Sequence, residues 1–347
     1  MSRSGLWPRI RNRMARDIHN ARLRRSMRHI HGPKRFETGP EDVTVVALVR
    51  DGIYYLDAFF DYYRSIGVDH FVFVENGSDD GTVERIAREP GTIIVQSHLP
   101  WGLNENGFRQ FAAETYCAGR WCLYADMDEQ FDFEGRAVIG LAGLVRYLDA
   151  QGYTALVAQM LEMFPKVALR QTADLSFDRA LADYQYYDPT HVRAVDYHDP
   201  SIAFSYYLGT NTIANNDIRF LFGGVRQKVF GEDCALSKHP LVFVGQGVEP
   251  GVHPHCAAHV ACADFTALIR HYKFTNNPFG RDAQTVLDTA ISHGEDHQRL
   301  KVAENDPDLT LYSDASVAIT GIGDLQKSGF LVPSKRYSGF VREESDA

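Results

Sequence analysis

Three carboxylates stand close together in the sequence Asp126-Met127-Asp128-Glu129. They follow the apolar run 121–125, which predicts a buried strand. In open α/β sheets, ligands bind outside the carboxyl ends of the strands. Two carboxylates one residue apart at such an end can hold a divalent ion, and oxygen ligands suit Mg²⁺ or Mn²⁺ with phosphates completing the shell. Because acidic turns are common, the position after a strand carries this prediction.

A second polar group, residues 75–82, follows the predicted strand 70–74. Its glycine and serine residues allow a sharp turn, and its carboxylates can accept hydrogen bonds from a nucleobase N–H or a ribose hydroxyl. The alternative is an ordinary strand–helix turn with Ser78 or Asp79 as the helix N-cap. The residues alone favour this second interpretation.

Alternating strands and helices are predicted to position both groups. The β-rich run 43–49 predicts a strand buried on both faces, and helical spacing follows over 53–66, 80–88 and 105–117. Further strands are predicted at 92–96 and 120–125, and in the second half at 155–160 and 202–208. This rhythm predicts an α/β fold with a mainly parallel sheet. We expect one domain over 41–325, followed by a polar C-terminal tail, 326–347.

Residues 1–40 differ from the rest of the chain. They carry a net charge of +9, whereas the whole chain of 347 residues carries −9. Apolar residues at helical spacing run from Trp7 to Ile30 and end before Gly32-Pro33. A basic amphipathic helix suits the surface of an anionic membrane. The alternatives are a solvated extension and, less favoured, an organelle-targeting peptide.

Composition limits the cellular locations and partners that fit this sequence. No apolar run reaches eighteen residues and no secretory signal is visible, so neither a membrane span nor secretion is predicted. Five scattered cysteines indicate reduced thiols. We therefore expect a cytoplasmic protein, peripheral on the inner face of the membrane if the N-terminal helix binds there, and no nucleic-acid partner.

The ordered motifs resemble the family-two-like bacterial glycosyltransferases. The resemblance covers roughly residues 43–275 and is carried by Val49-Arg50-Asp51-Gly52, Gly67-Val68-Asp69-His70-Phe71, Glu75 to Thr82, Trp121 to Glu129, Gly223 to Phe230, Leu236 to Leu241 and Arg270 to Phe274. It implies a GT-A fold, a Rossmann-like sheet with helices on both faces. It also implies Mn²⁺ or Mg²⁺, a nucleotide-sugar donor and a hydroxyl acceptor. The predicted membrane contact of residues 1–40 favours a glycan or lipid-linked acceptor in cell-envelope polysaccharide or glycolipid synthesis. Asp51-Gly52 replaces the usual Asn-Glu, Glu75 a commoner aspartate, and Gln130 an apolar residue.

The resemblance also implies roles for single residues. Asp126 would contact the ribose or a metal-bound water, and Asp128 would ligate the metal. A histidine near the end of the domain often adds a ligand, for which His271 is the first choice and His253 the second. The expected nucleotide-sugar contacts are Arg50, Asp51, Glu75, Asn76, Ser78, Asp80, Asp126, Arg226, Lys238 and Lys273.

The catalytic base is the least defined part of the site. An inverting enzyme needs a carboxylate to deprotonate the acceptor hydroxyl. Glu232 and Asp233 match a Glu-Asp pair of related enzymes, and Glu162 is an acid within an apolar strand. A solvated loop at 232–233, or a retaining mechanism, remains open. Arg109 is expected on a solvated helix face rather than at the diphosphate.

The string His253 to Cys262 contains nitrogen and sulfur ligands suited to zinc, but its spacing matches no common zinc module. It is expected to be a loop bordering the active site. Two other functions compete with glycosyl transfer. A sugar-1-phosphate nucleotidylyltransferase would need a Gly-rich phosphate loop after the first strand, which Arg50-Asp51-Gly52 does not supply. A non-catalytic nucleotide- or glycan-binding protein would keep the fold and lose metal dependence.

Overall fold

The computed structural model describes residues 18–245, 247–287 and 294–346, and its main feature is a ten-stranded sheet. The first half of the chain supplies one side of the sheet and the helices that cover it. Its elements are β1 (Arg28–His31), β2 (Val43–Val49), α1 (Ile53–Ser65), β3 (His70–Glu75), α2 (Thr82–Ala87), β4 (Thr92–Gln96), α3 (Trp101–Tyr116) and β5 (Trp121–Tyr124).

Strands β4, β3, β2 and β5 lie side by side in that order and all run parallel. Strand β2 is buried throughout because both faces of the sheet are covered. Val45 and its same-face neighbours pack with Leu56 of α1, whereas Val46 and Leu48 pack with Phe108 of α3. The prediction of a mainly parallel α/β sheet with helices on both faces is therefore confirmed.

The second half adds the other side of the sheet and several small hairpins. Its elements are β6 (Glu129–Asp132), α4 (Arg136–Gln151), β7 (Ala155–Glu162), a 3₁₀ helix (Leu169–Thr172), α5 (Phe177–Asp183), β8 (Tyr186–Tyr187), β9 (Val192–Asp196), α6 (Ser205–Leu208), β10 (Thr212–Ile213), β11 (Arg219–Gly223), α7 (Val225–Phe230), β12 (Ser237–Phe243), β13 (Glu249–His253), β14 (Cys256–Ala258) and β15 (Ala261–His271).

Strand β12 joins the two sides of the sheet. It runs antiparallel to β5 on one side and to β7 on the other. Beyond it, β7, β15 and β10 are parallel, and β6 pairs antiparallel with β15. The carboxyl ends of β5, β7 and β15 and the start of β12 therefore meet at one edge of the sheet.

The C-terminal residues pack onto this sheet, contrary to the predicted polar tail over 326–347. The last elements are α8 (Pro278–Leu287), α9 (Glu295–Asn305), β16 (Val317–Ala318), α10 (Ile322–Lys327) and α11 (Lys335–Asp346). Tyr337 is fully buried, and its ring stacks on Phe265 with 3.9 Å between centroids. The polar composition reflects the outer face of α11, while its inner face completes the core.

The N-terminal segment also departs from the prediction. Residues 18–26 are helical, but β1 takes the place of the predicted helix over 28–31 and pairs antiparallel with β4. Leu23 is buried against Gly107 of α3, where a Cβ would lie 2.3 Å from the leucine side chain. The apolar positions Trp7, Ile10 and Met14 lie outside the described residues. Within the described part of the chain, no helix combines the length and apolar character of a membrane span.

The predicted strand over 202–208 is also wrong. A turn leads into the one-turn helix α6, and Ile202, Phe204 and Leu208 are buried together in one core cluster. Their spacing of two and four residues fits both a strand and a turn followed by a helix, so periodicity alone did not distinguish them.

Candidate functional site

The predicted acidic motif lies at the carboxyl end of β5 and is held by two buried cations. Lys238, from β12, lies 2.7 Å from both carboxylate oxygens of Glu129 and 3.4 Å from Asp126 Oδ2. Arg109, from α3, donates to Asp126 Oδ1 at 2.8 Å and also pairs with Glu105. Both oxygens of Asp126 therefore face a cation before any ligand binds.

These cations determine the ionisation of the motif. Burial raises the pKa of Asp126, but the charges of Lys238 and Arg109 outweigh burial and hold this pKa well below its usual range. Burial raises the pKa of Glu129, against the attraction of Lys238. Asp126 is therefore a fixed carboxylate oriented by its partners.

Strand register brings His271 to the same place. Strand β15 lies between β7 and β6, so His271 is opposite Glu162 on one side and Glu129 on the other. His271 Nδ1 lies 3.0 Å from Glu162 Oε2, and Nε2 lies 3.5 Å from Asp128 Oδ2. Burial lowers the pKa of His271, but the two carboxylates outweigh it and raise this pKa to about 10. The imidazole is thus protonated at neutral pH between two acids.

Two more cations face Asp128 without a carboxylate partner among the described residues. They are Lys273, just after β15, and Arg281 on α8. Burial raises the pKa of Asp128, but His271 and, after it, these two charges outweigh burial and lower this pKa. The Arg281 guanidinium donates to the carbonyls of Lys273 and Thr275 at 2.7 and 3.1 Å, and its Nε is buried without a hydrogen bond. Burial, with the charges of Arg226 and Arg299, lowers the pKa of Lys273. Such a pair of cations is suited to an incoming anion.

The two loops after β2 and β3 are hydrogen-bonded to each other. Ser78 Oγ accepts from the Asp51 N–H at 2.9 Å, and Asp80 accepts from the Ile53 N–H at 3.1 Å. Asp51 in turn accepts from the Asp79 N–H at 3.0 Å and holds a positive φ of 53°. Arg50 is exposed beside it, 3.6 Å from its carboxylate. These side chains follow the carboxyl ends of β2 and β3, at the same edge of the sheet as the acidic motif.

Glu75 and Asn76 point inward instead. Glu75 is fully buried and accepts a hydrogen bond from Gln96 at 2.7 Å. The Asn76 amide donates to the carbonyls of Ser97 and Leu99, the latter at 2.9 Å. We therefore revise their predicted role from nucleotide contact to positioning of the loop 76–82.

The candidate bases differ in their access to solvent. Glu232 is buried between Arg226 and Arg299, at 2.6 and 2.9 Å. Arg226 also reaches Glu162 at 3.5 Å, so it belongs to this network rather than to an open phosphate site. Asp233 is exposed and forms one ion pair with Arg193 at 2.6 Å. Of the predicted pair, only Asp233 is open to an acceptor hydroxyl in this conformation.

His253 lies away from Asp128, in the hairpin formed by β13 and β14. Its ring stacks on Phe204 with 4.1 Å between centroids. The next histidine, His255, bonds to the Ser237 carbonyl at 3.0 Å, beside Lys238. The His-rich string is therefore a β-hairpin leading into β15 rather than the expected loop, and it borders the acidic motif through His255. Across residues 18–245, 247–287 and 294–346, no group of three or more His, Cys, Asp or Glu side chains is arranged to hold a metal ion.

Sequence reasoning gave too little weight to Arg109 and did not find Arg281. Arg109 is almost fully buried and bonded to Asp126, not on a solvated face. Its spacing of four from Glu105 was visible in the sequence, but that spacing is equally typical of a surface pair. Arg281 lies on a helix beyond the last motif, so no pattern marked it.

Comparisons with known proteins add little beyond this geometry. No protein-family model matches the sequence, and no curated protein does. The crystal structure of S. aureus TarS aligns with 37% of this chain and 24% of its own, at 17% identity and a TM-score of 0.29. UDP-glucose pyrophosphorylase complexed with UDP-glucose aligns over 38% of this chain and 60% of its own, at 9% identity and a TM-score of 0.21. Overlaps of this extent assign neither a family nor an activity.

Proposed function

We propose that this protein is a glycosyltransferase that moves a sugar from a nucleotide-diphosphate donor to a hydroxyl acceptor. The observation that carries the proposal is the Asp126–Asp128 pair at the carboxyl end of β5, faced by two cations that form no ion pair in the part of the chain that the structure describes. Lys273 and Arg281 both act on Asp128, and neither has a carboxylate within ion-pair distance among the described residues. A diphosphate leaving group supplies the missing negative charge.

A divalent ion fits this site as a partner of the diphosphate. Asp128 and His271 Nε2 offer two adjacent donor atoms, and Glu162 behind Nδ1 supplies the carboxylate that orients a metal-bound histidine. Mg²⁺ and similar ions are often held by one or two side chains plus substrate phosphates. A bound Mn²⁺ or Mg²⁺ would neutralise charge on the leaving group. A metal at His271 Nε2 would compete with the proton that this nitrogen carries at neutral pH.

Other residues of this chain would orient the donor and accept the proton of the acceptor hydroxyl. Asp126 is oriented by Arg109 and Lys238 and presents a fixed carboxylate toward the ribose. The loops around Asp51 and Ser78 hold the nucleoside end of the donor. Asp233 is the accessible candidate to take the proton of the acceptor hydroxyl.

One structural observation favours glycosyl transfer over nucleotidyl transfer. Only residues 50–52 separate β2 from α1, and Gly52 donates its N–H to Thr82 Oγ1 at 2.7 Å. That connection is too short for a Gly-rich phosphate loop. A non-catalytic binding protein of the same fold remains the competing class, and turnover separates it from an enzyme.

The placement of the enzyme at an envelope membrane is a second part of the proposal. Exposed cations on the described N-terminal helix, Arg22, Arg24 and Arg25, continue the basic character of residues 1–17. Such a surface is attracted to anionic lipids. A lipid-linked acceptor in cell-envelope polysaccharide or glycolipid synthesis would benefit from this position.

The first test is calorimetric titration with UDP, GDP and CDP, with and without Mn²⁺, alongside a nucleotide-sugar hydrolysis panel. One nucleotide is expected to bind, more tightly with Mn²⁺, and its sugar conjugate to be hydrolysed slowly. Lys273→Met should weaken nucleoside diphosphate binding by about 10–100-fold, the loss of one charge-assisted contact, but leave nucleoside binding unchanged. Lys166→Met, which removes an exposed lysine that contacts Tyr312, is the matched control. Nucleoside diphosphate binding that Lys273→Met leaves unchanged would contradict the proposed diphosphate site.

The second test concerns the metal. Asp128→Asn and His271→Ala should abolish the Mn²⁺-dependent gain in affinity, because they remove the two donor atoms. His253→Ala should retain it, since this ring stacks on Phe204 in a different hairpin. If His253→Ala loses the metal effect and His271→Ala keeps it, the assignment of the ligands is wrong.

A further inference from the structure

Two segments far apart in the sequence contain no charged residue. Residues 200–216 and residues 250–263 lack Asp, Glu, Lys and Arg, although 23% of the chain is charged. They are instead rich in tyrosine, histidine, asparagine, serine and threonine. The fold brings the two runs together, and several of their apolar residues, among them Ile202, Leu208 and Val260, are buried.

Hydrogen bonds join the two segments into one unit. The Thr212 N–H donates to the Val260 carbonyl at 2.9 Å, and the His259 N–H donates to Thr210 Oγ1 at 3.0 Å. The Asn211 amide donates to the Ala257 carbonyl at 3.0 Å. Helix α6 packs against β14 within the same unit. The two uncharged runs therefore form one packed unit.

Aromatic rings line the outer side of this unit, over the buried ring of Phe204. His253 stacks on Phe204 at 4.1 Å between centroids, and His255 is nearly parallel to Phe204 at 6.2 Å. Tyr206, on α6, is 82% exposed and lies edge-on to Tyr207 at 5.6 Å. Tyrosine carries a flat apolar face with a polar tip, which suits rings that combine C–H faces with hydroxyl groups.

The aromatic surface begins at the wall of the charged site. His255 bonds to the carbonyl of Ser237, the residue before Lys238. Burial, followed by the charge of Lys238, lowers the pKa of His255 to about 3, so this ring is neutral beside the cations. A charge-dense site for an anionic donor thus adjoins an uncharged, aromatic surface at the same edge of the sheet.

We propose that the surface formed by Tyr206, Tyr207, His253 and His255 binds the acceptor, and that this acceptor presents an uncharged sugar ring. The inference rests on the proposed function for the meaning of "acceptor", but the binding itself does not depend on it. The two runs contain no Lys or Arg to bind an anionic glycan, and no Asp or Glu to bind a cationic ligand. An uncharged ring that bears hydroxyl groups and stacks on tyrosine fits these constraints.

Saturation-transfer NMR with cellobiose, lactose and N,N′-diacetylchitobiose tests the surface directly. At least one of these neutral disaccharides should receive saturation from the wild-type protein. Tyr206→Ala should reduce the signal by about fivefold, the loss of one ring contact, while Tyr206→Phe retains it. Leu103→Ala, which removes a side chain that is 81% exposed on α3, should leave the signal unchanged.

Nucleotide titration of the same variants separates the two proposals. Tyr206→Ala should bind the nucleotide as the wild type does, because Tyr206 is exposed on α6 and the nucleotide contacts lie on other elements. A protein that binds a disaccharide but no nucleotide would overturn the glycosyltransferase and keep the sugar surface. Nucleotide binding with no disaccharide signal, or a signal that Tyr206→Ala leaves intact, would overturn the sugar surface alone.

Discussion

Lys238→Met is the most informative single change, because one side chain neutralises two carboxylates. The Lys238 side chain is 5% exposed and contacts Glu129 at 2.7 Å and Asp126 at 3.4 Å. Removing one partner of a buried ion pair costs about 3–5 kcal/mol, since the remaining charge stays buried. At about 2 °C per kcal/mol, the low end for larger domains, Tm should fall by about 6–10 °C.

The loss of stability in Lys238→Met should increase as pH rises. Burial already raises the pKa of Glu129, and losing Lys238 removes the attraction that opposes this rise. A carboxyl whose folded pKa exceeds its unfolded value destabilises the fold increasingly as pH rises through that range. Thermal unfolding of Lys238→Met should therefore differ more from wild type at pH 8 than at pH 5.

Two control variants test whether the buried Glu129 carboxylate causes this loss of stability. Lys238→Met combined with Glu129→Gln should recover more than half of the lost stability, because the buried carboxylate is gone. Lys327→Met removes an equally short ion pair, 2.8 Å to Asp324, from a lysine that is 80% exposed, and should not change Tm measurably. Equal stability of Lys238→Met and wild type, or no recovery in the double variant, would refute the assigned charge balance.

Three further predictions concern the packed termini and a buried histidine. Tyr337→Ala should lower the free energy of unfolding, measured by urea denaturation, by about 3–5 kcal/mol because the ring is buried. Tyr337→Phe should lower it by about 1 kcal/mol, since it removes only the hydrogen bond to the Glu134 carbonyl. A loss below about 1 kcal/mol for Tyr337→Ala, as at a surface site, would contradict the packing of α11. Burial lowers the pKa of His239 to about 4, so its stability contribution is complete above pH 6.5 and falls by about 2 kcal/mol at pH 5. His239→Asn should lose that acid sensitivity in urea denaturation, whereas the exposed-site change His259→Asn should keep it. Protein starting at residue 18 should float more weakly with phosphatidylglycerol vesicles and keep its fold, since Arg22, Arg24 and Arg25 remain. A start at residue 41 would also remove β1, and unchanged flotation from residue 18 would refute the membrane proposal.

The sequence was most informative where a pattern had one structural meaning. The run Val43–Val49 is apolar except for Thr44 and rich in β-branched residues, and its strand has these bounds in the structure. The acidic motif could be placed at a strand end for the same reason. Residues 28–31 and 202–208 were misjudged because short apolar spacings fit more than one element, and long-range pairing with β4 or the local core decided between them.

The candidate site shows a second limit. Asp126, Asp128 and His271 could be named from order along the chain, but the partners that set their charge come from distant positions. Arg109, Lys238 and Arg281 reach the acids through helix orientation and strand register, which no local pattern encodes. Conversely, Glu75 and Asn76 sit in the expected loop with their side chains turned inward.

The antiparallel strand β12 has a consequence for biosynthesis. The parallel strands β2 to β5 are complete once residue 124 has left the ribosome, but the edge of β5 and the buried acids wait for residues 237–243. At about 5–20 residues per second, that interval of about 120 residues lasts about 6–24 seconds. During this time the nascent chain exposes an unpaired apolar strand edge, a template for intermolecular pairing. Truncation products that end between these points are therefore expected to aggregate, and chaperone contact should concentrate on this stage of synthesis.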